Sequence, residues 1–187
     1  MITETPPKRI RPPAVASMFY PGNAAELRNT VRSYLRVAEA EQNAFQLKNE
    51  ENSDLRALIV PHAGYSYSGN IAASAFRLLQ NNQPQFKRVL LLGPAHRVYL
   101  QGAAFPVADV FETPLGGIKL DKERIRILTE TYPWISLNDT AHAEEHSLEV
   151  QLPFLQETLG DFELLPLVVG ETKTEQLAEM IQHFSTD

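Results

Sequence analysis

No cysteine occurs anywhere in the 187 residues. Disulfides, thiolate zinc sites and iron–sulfur clusters within this stretch are thereby excluded. Basic residues are not clustered either. Net charge is −6, and the nearest thing to a basic run is KRIRPP at positions 8–13, so direct nucleic-acid binding is not expected. No stretch approaches the 18 or so uninterrupted apolar residues that a membrane span requires, and the N-terminal MITETPPKRIRPP has no apolar leader core. The chain is accordingly expected to be a cytoplasmic protein that does not enter a membrane. It carries no Walker loop, no G-x-G-x-x-G, no G-x-S-x-G and no D-x-D-x-D loop, which removes the usual grounds for nucleotide, serine-hydrolase or calcium chemistry.

What is present fits one globular domain. Apolar residues make up 43% of the chain, near the globular norm, and the length suits a single domain over residues 1–187. Residues 1–13 read as a polar, Pro-rich extended arm. Asn23 is placed to cap a helix in which Leu27, Val31 and Leu35 share one stripe. The polar stretch that follows, through about residue 54, reads as that helix's solvated extension or a loop.

Short apolar runs closed by Gly or Pro read as strands at 57–60 and 88–92, in GAAFPV and in FELLPLVVG. Helices are expected from Ser68, with Ile71, Ala75, Leu78 and Leu79 on the apolar side, over 122–131, over 147–159 with a kink at Pro153, and at the end of the chain. That last helix would be capped by Thr172 or Thr174 and would present Leu177, Met180, Ile181 and Phe184. Residues 81–85 read as a turn, and ETPLGGIKLD as a hairpin or sharp loop with Gly116-Gly117 at its tip. Strands alternating with helices argue for an α/β fold with a mainly parallel central sheet flanked by helices.

Two of the strand-like runs end in a histidine set in a turn. ALIVPHAGYSYSG delivers His62, and RVLLLGPAHR delivers His96. Ligands in open α/β sheets gather at the carboxyl ends of strands, and imidazole suits iron, copper or zinc. His62 and His96 are therefore candidate metal ligands. A third cluster, HAEEHSLE, contains His142, His146 and Glu149. With a helix starting at Ser147, His146 and Glu149 would lie on one edge of its first turn and serve as candidate catalytic groups, whereas acidic residues there also simply complement a helix dipole. Tyr65 and Tyr67 could line the pocket or pack as ordinary aromatics. His183 reads as a surface residue.

In order, PHAGYSYSG, LLGPAHRVY, FETPLGGIKLD, EEHSLEVQLPFLQ and LLPLVVG, together with the N-terminal RPPAVASMFYPGNAAEL, closely resemble the Memo family, whose prokaryotic members are labelled AmmeMemoRadiSam system protein B. The resemblance implies a fold like the class III extradiol dioxygenases, which hold non-haem iron with two histidines and a carboxylate. It implies metal ligation by His62 and His96, Fe(II) first and copper second, with His146 and Glu149 in the segment near that pocket. It also implies a third ligand from a downstream Cys and a segment of the SSD-x-S/C-H type. Neither is in this sequence, so the chain is expected to lack the C-terminal part of the family fold. The implied activities are a metal-dependent oxidoreductase of unknown substrate or a non-catalytic peptide-binding module. The implied companions are of the AMMECR and radical-SAM types.

Overall fold

The computed structural model describes residues 7–44, 55–80 and 86–186. The turn expected at 81–85 and the end of the polar extension after residue 44 lie outside the described residues. Strand β1 (Ile10–Arg11) is followed by helices α1 (Ala24–Ala44) and α2 (Tyr65–Gln80). Strands β2 (Arg88–Pro94), β3 (Ala103–Phe105), β4 (Val110–Thr113) and β5 (Gly116–Lys119) come next. After them run α3 (Lys122–Thr131), β6 (Ile135–Leu137), α4 (Asp139–Ala143), α5 (Leu152–Leu159), β7 (Glu163–Val169) and α6 (Thr174–Thr186).

The α/β expectation holds. A central sheet runs β2-β7-β3-β6, with β2 parallel to β7 and β3 parallel to β6. One pairing, β3 to β7, is antiparallel. A second sheet, β1-β4-β5, was not foreseen. Its β4–β5 hairpin turns at Pro114-Leu115, so Gly116 opens the returning strand instead of standing at the tip. Gly116 takes φ +122°, a conformation for which glycine suits the position.

Helix α1 starts where the sequence indicates. The Asn23 side chain accepts from the N–H groups of Ala25 and Glu26, at 3.0 and 3.1 Å, and the Leu27, Val31 and Leu35 stripe is buried. Helix α3 has the expected bounds and is capped by Asp121.

Four expectations need correction. Residues 57–60 form no strand and join no ladder among the described residues, and Ile59 is fully exposed. The run is apolar enough for a strand, but a strand also needs a partner. Helix α2 starts three residues early, at Tyr65, which turns its buried stripe to Tyr65, Gly69, Ala72, Phe76 and Leu79 and leaves Ile71 exposed. Pro153 kinks nothing. It sits in the first turn of α5, where its missing N–H costs no helical bond, and a 3₁₀ turn (Glu149–Gln151) precedes it. The arm is not free from residue 7 onward, because Ile10 and Arg11 pair with Val110 and Phe111 of β4, and Arg11 is buried.

Candidate metal centre

His96 lies two residues past the end of β2, and His62 ends the irregular 55–62 segment. His146 stands in the turn between α4 and the 3₁₀ turn. That turn can settle on the end of β2 because residue 93 is glycine. A Cβ there would meet Ser147 Oγ at 2.6 Å and Leu148 Cδ2 at 2.8 Å. Ser147 Oγ then donates to the Pro94 carbonyl at 3.0 Å.

The outcome is a group of three imidazoles. Ring centroids lie 5.3 Å apart for His62 and His96, 6.0 Å for His62 and His146, and 4.6 Å for the stacked pair His96 and His146. Each residue offers one ligand nitrogen, and the three nitrogens lie within 4.8 Å of one another. Three nitrogens about 2.0–2.1 Å from one ion at tetrahedral angles would be about 3.3 Å apart, so sharing one ion would require the rings to close in from the observed spacing.

The electrostatics favour the neutral, ligating form. Burial lowers the pKa of His62, with the neighbouring His96 adding to the effect. Burial likewise lowers that of His146, where Glu145 opposes and the other two histidines reinforce it. The donor set itself, three imidazoles from three separate segments, fits a transition metal. His146 Nδ1 makes no hydrogen bond and lies 3.4 Å from Glu145 Oε1.

Phe19 packs on the His146 ring at 4.8 Å between centroids. Together with Ile59, Val60 and Pro61 it lines a largely apolar cleft of about 850 Å³ that opens on His62 and His146.

Other candidate residues lie elsewhere. Glu149 is fully buried and bonded away from the histidines. Its carboxylate accepts from Arg11 Nη1, from the Ala14 N–H at 2.8 Å, from the Val15 N–H at 3.0 Å and from the Tyr20 hydroxyl at 2.5 Å. The same Arg11 donates to the carbonyls of His142 and Glu145. This buried pair therefore fastens β1 and the loop after it to the turn that carries His146. Tyr65 is buried in the core, its hydroxyl donating to the Val150 carbonyl at 2.9 Å, and Tyr67 is 86% exposed on α2. His142 is buried, its Nε2–H donating to the Ala104 carbonyl at 2.9 Å. His183 meets the Tyr132 hydroxyl through Nδ1 at 3.0 Å instead of standing alone on the surface.

Sequence reasoning passed over Glu145 as one of several acids near a helix start. It is 1% exposed as a side chain, whereas the preceding Glu144 is exposed. Burial alone would raise its carboxyl, but hydrogen bonds from the His96 ring and from the Ser147 and His96 N–H groups outweigh this and hold it at about 2.

A family model described as Memo-like protein matches residues 11–187. The chain belongs to the Memo-like family. A MEMO1 family protein of Ignicoccus hospitalis is 37% identical over 174 residues, which is 92% of this chain and 60% of that protein. One from Aquifex aeolicus is 39% identical over 163 residues, 86% of this chain and 55% of the relative. One from Nitrosopumilus maritimus is 32% identical over 172 residues, 91% and 60% respectively. The Memo-like chain thus spans 55–60% of the length of these curated relatives. Among its described residues, no helix is long and apolar enough to cross a membrane.

Proposed function

We propose that this Memo-like chain binds a transition-metal ion through His62, His96 and His146. The observation that carries the reading is the convergence of three ligand nitrogens within 4.8 Å. They come from three separate segments, two of which carry an apolar run ahead of the histidine. Two of the three imidazoles are held toward the neutral form that a metal ligand must adopt. Imidazole donors suit Fe(II), copper and zinc, and the family resemblance, with the dioxygenase-like fold it implies, favours Fe(II), with copper as the alternative. When bound, such an ion supplies Lewis acidity and a site for a small reactive ligand. The chain's own residues hold the rings, and Phe19 and Ile59 keep the cleft beside them apolar. That lining suits a small, partly apolar molecule, and the family resemblance extends the reading to a metal-dependent oxidoreductase in the cytoplasm with companions of the AMMECR and radical-SAM types.

Calorimetric titration under anaerobic conditions with Fe(II), and separately with Cu(I), tests the reading. Binding at one ion per chain that is lost in a His62→Ala/His96→Ala variant of unchanged thermal stability is the expected result. Undiminished affinity in that variant would remove the histidines as the site.

A second reading is supported by the exposed side chains of Met18, Ile59 and Tyr67, at 71%, 100% and 86% exposure. Ile59 borders the apolar cleft with Phe19, Val60 and Pro61, and an exposed apolar rim of this kind favours a peptide-binding module that keeps the histidine pocket without turnover. Loss of peptide binding in Ile59→Ser with metal affinity intact would favour this reading over catalysis.

A further inference from the structure

Resting on the three-histidine reading, we infer that Glu145 is the positioning residue of the metal centre: its carboxylate fixes His96 as the Nδ1–H tautomer and turns Nε2 toward the shared ion, while the same group anchors the backbone that carries His146. The geometry is specific. Glu145 Oε1 lies 2.9 Å from His96 Nδ1. The same oxygen accepts from the N–H groups of His146 and Ser147, both at 2.8 Å. Oε2 accepts from the His96 N–H at 2.6 Å.

The three backbone donors decide the case. An N–H can only donate, so these three bonds orient the carboxylate regardless of the state of the ring. Held by three N–H donors, the carboxylate faces the ring as an acceptor, so the ring nitrogen toward it carries the proton. Nδ1 of His96 is therefore the N–H, and the lone pair is left on Nε2. One side chain thus sets both a tautomer and the spacing of two ligands that are 50 residues apart in sequence. Carboxylates in this relation to a ligating histidine fix ring orientation and raise ligand basicity, and their loss costs about 10–100-fold in metal affinity.

Among the described residues, no other acid near the group takes this place. Glu144 is exposed, and Glu149 is occupied by Arg11, Tyr20 and two backbone N–H groups. Glu145 Oε1 serves three donors, the His96 ring and the His146 and Ser147 N–H groups, so this oxygen orients the ring and the turn together.

Long-range ¹H–¹⁵N NMR of the metal-free chain reads the tautomer directly, and Fe(II) titration of Glu145→Gln reads its consequence. Expected are an Nδ1–H signature for His96 in the wild type, a shift toward Nε2–H or a mixture in Glu145→Gln, and an Fe(II) affinity about 10–100-fold weaker in that variant. A wild-type His96 in the Nε2–H form would overturn the proposal even if Glu145→Gln failed to fold. So would a folded Glu145→Gln that kept both the Nδ1–H signature and an Fe(II) affinity within about twofold of wild type. A wild type that binds no Fe(II) would defeat the metal-centre reading, and the NMR tautomer would still decide the role of Glu145 on its own.

Discussion

Replacing Glu149 by Gln should destabilise the chain strongly while leaving the histidine group intact. The carboxylate serves four donors: Arg11 Nη1 and the Ala14 N–H on Oε2, and the Val15 N–H and Tyr20 hydroxyl on Oε1. An amide keeps one acceptor oxygen. Its better orientation turns that oxygen to Arg11 and Ala14, and the Tyr20 hydroxyl can rotate to accept from the new NH₂. The Val15 N–H then faces a donor and loses its partner, at a cost of about 1–3 kcal/mol. The Arg11 guanidinium, 6% exposed, also loses its countercharge. Breaking a buried pair in this way costs about 3–5 kcal/mol in all. For a chain of this size that corresponds to a fall in Tm on the order of 10 °C. Urea unfolding of the two proteins at one pH measures the difference, and Fe(II) titration of the folded variant should return an affinity within about twofold of wild type. A loss of stability below about 1 kcal/mol would refute the clamp. Loss of Fe(II) binding without loss of stability would return Glu149 to the pocket.

Two other perturbations follow from the same geometry. Burial, reinforced by Arg11 and opposed by the hydrogen bond to Ala104, lowers the pKa of His142 from 6.5 to about 4. The unfolded chain therefore takes up this proton first, and stability falls as pH drops from about 6.5 to about 4, by about 3 kcal/mol. His142→Gln keeps an N–H donor but cannot titrate, so its unfolding free energy should be flatter over that window, and parallel curves would contradict the assignment. In Gly93→Ala the added methyl meets Ser147 and Leu148, which should cost about 1–3 kcal/mol and weaken Fe(II) binding by displacing the His146 turn. Unchanged stability and affinity would show that the close approach is unimportant.

Local signals in the sequence were enough wherever the determinant was local. The Leu27, Val31 and Leu35 spacing with Asn23 ahead of it specified α1, and an apolar run broken by Gly93-Pro94 specified β2 and the position of His96 at its end. What could not be read depended on distant partners. Arg11 looked like one member of a surface basic run because Glu149, which buries it, lies 138 residues away. Residues 57–60 have the composition of a strand, but pairing is a property of two segments. Between Glu144 and Glu145, the turn geometry alone decides which is buried against His96. His146 was singled out together with Glu149 on the assumption of a helix from Ser147. The later start of α5, at Leu152 with Pro153 in its first turn, separates the two, sending Glu149 to the N-terminal segment and His146 to the other histidines.

The central claim is that His62, His96 and His146 converge on one ion. X-ray absorption spectroscopy of the Fe(II)-loaded chain tests it most directly, by counting imidazole rings around the metal in the wild type and in His146→Ala. The account predicts three rings in the wild type and two in the variant. Two or fewer in the wild type, or a count that His146→Ala leaves unchanged, would contradict it.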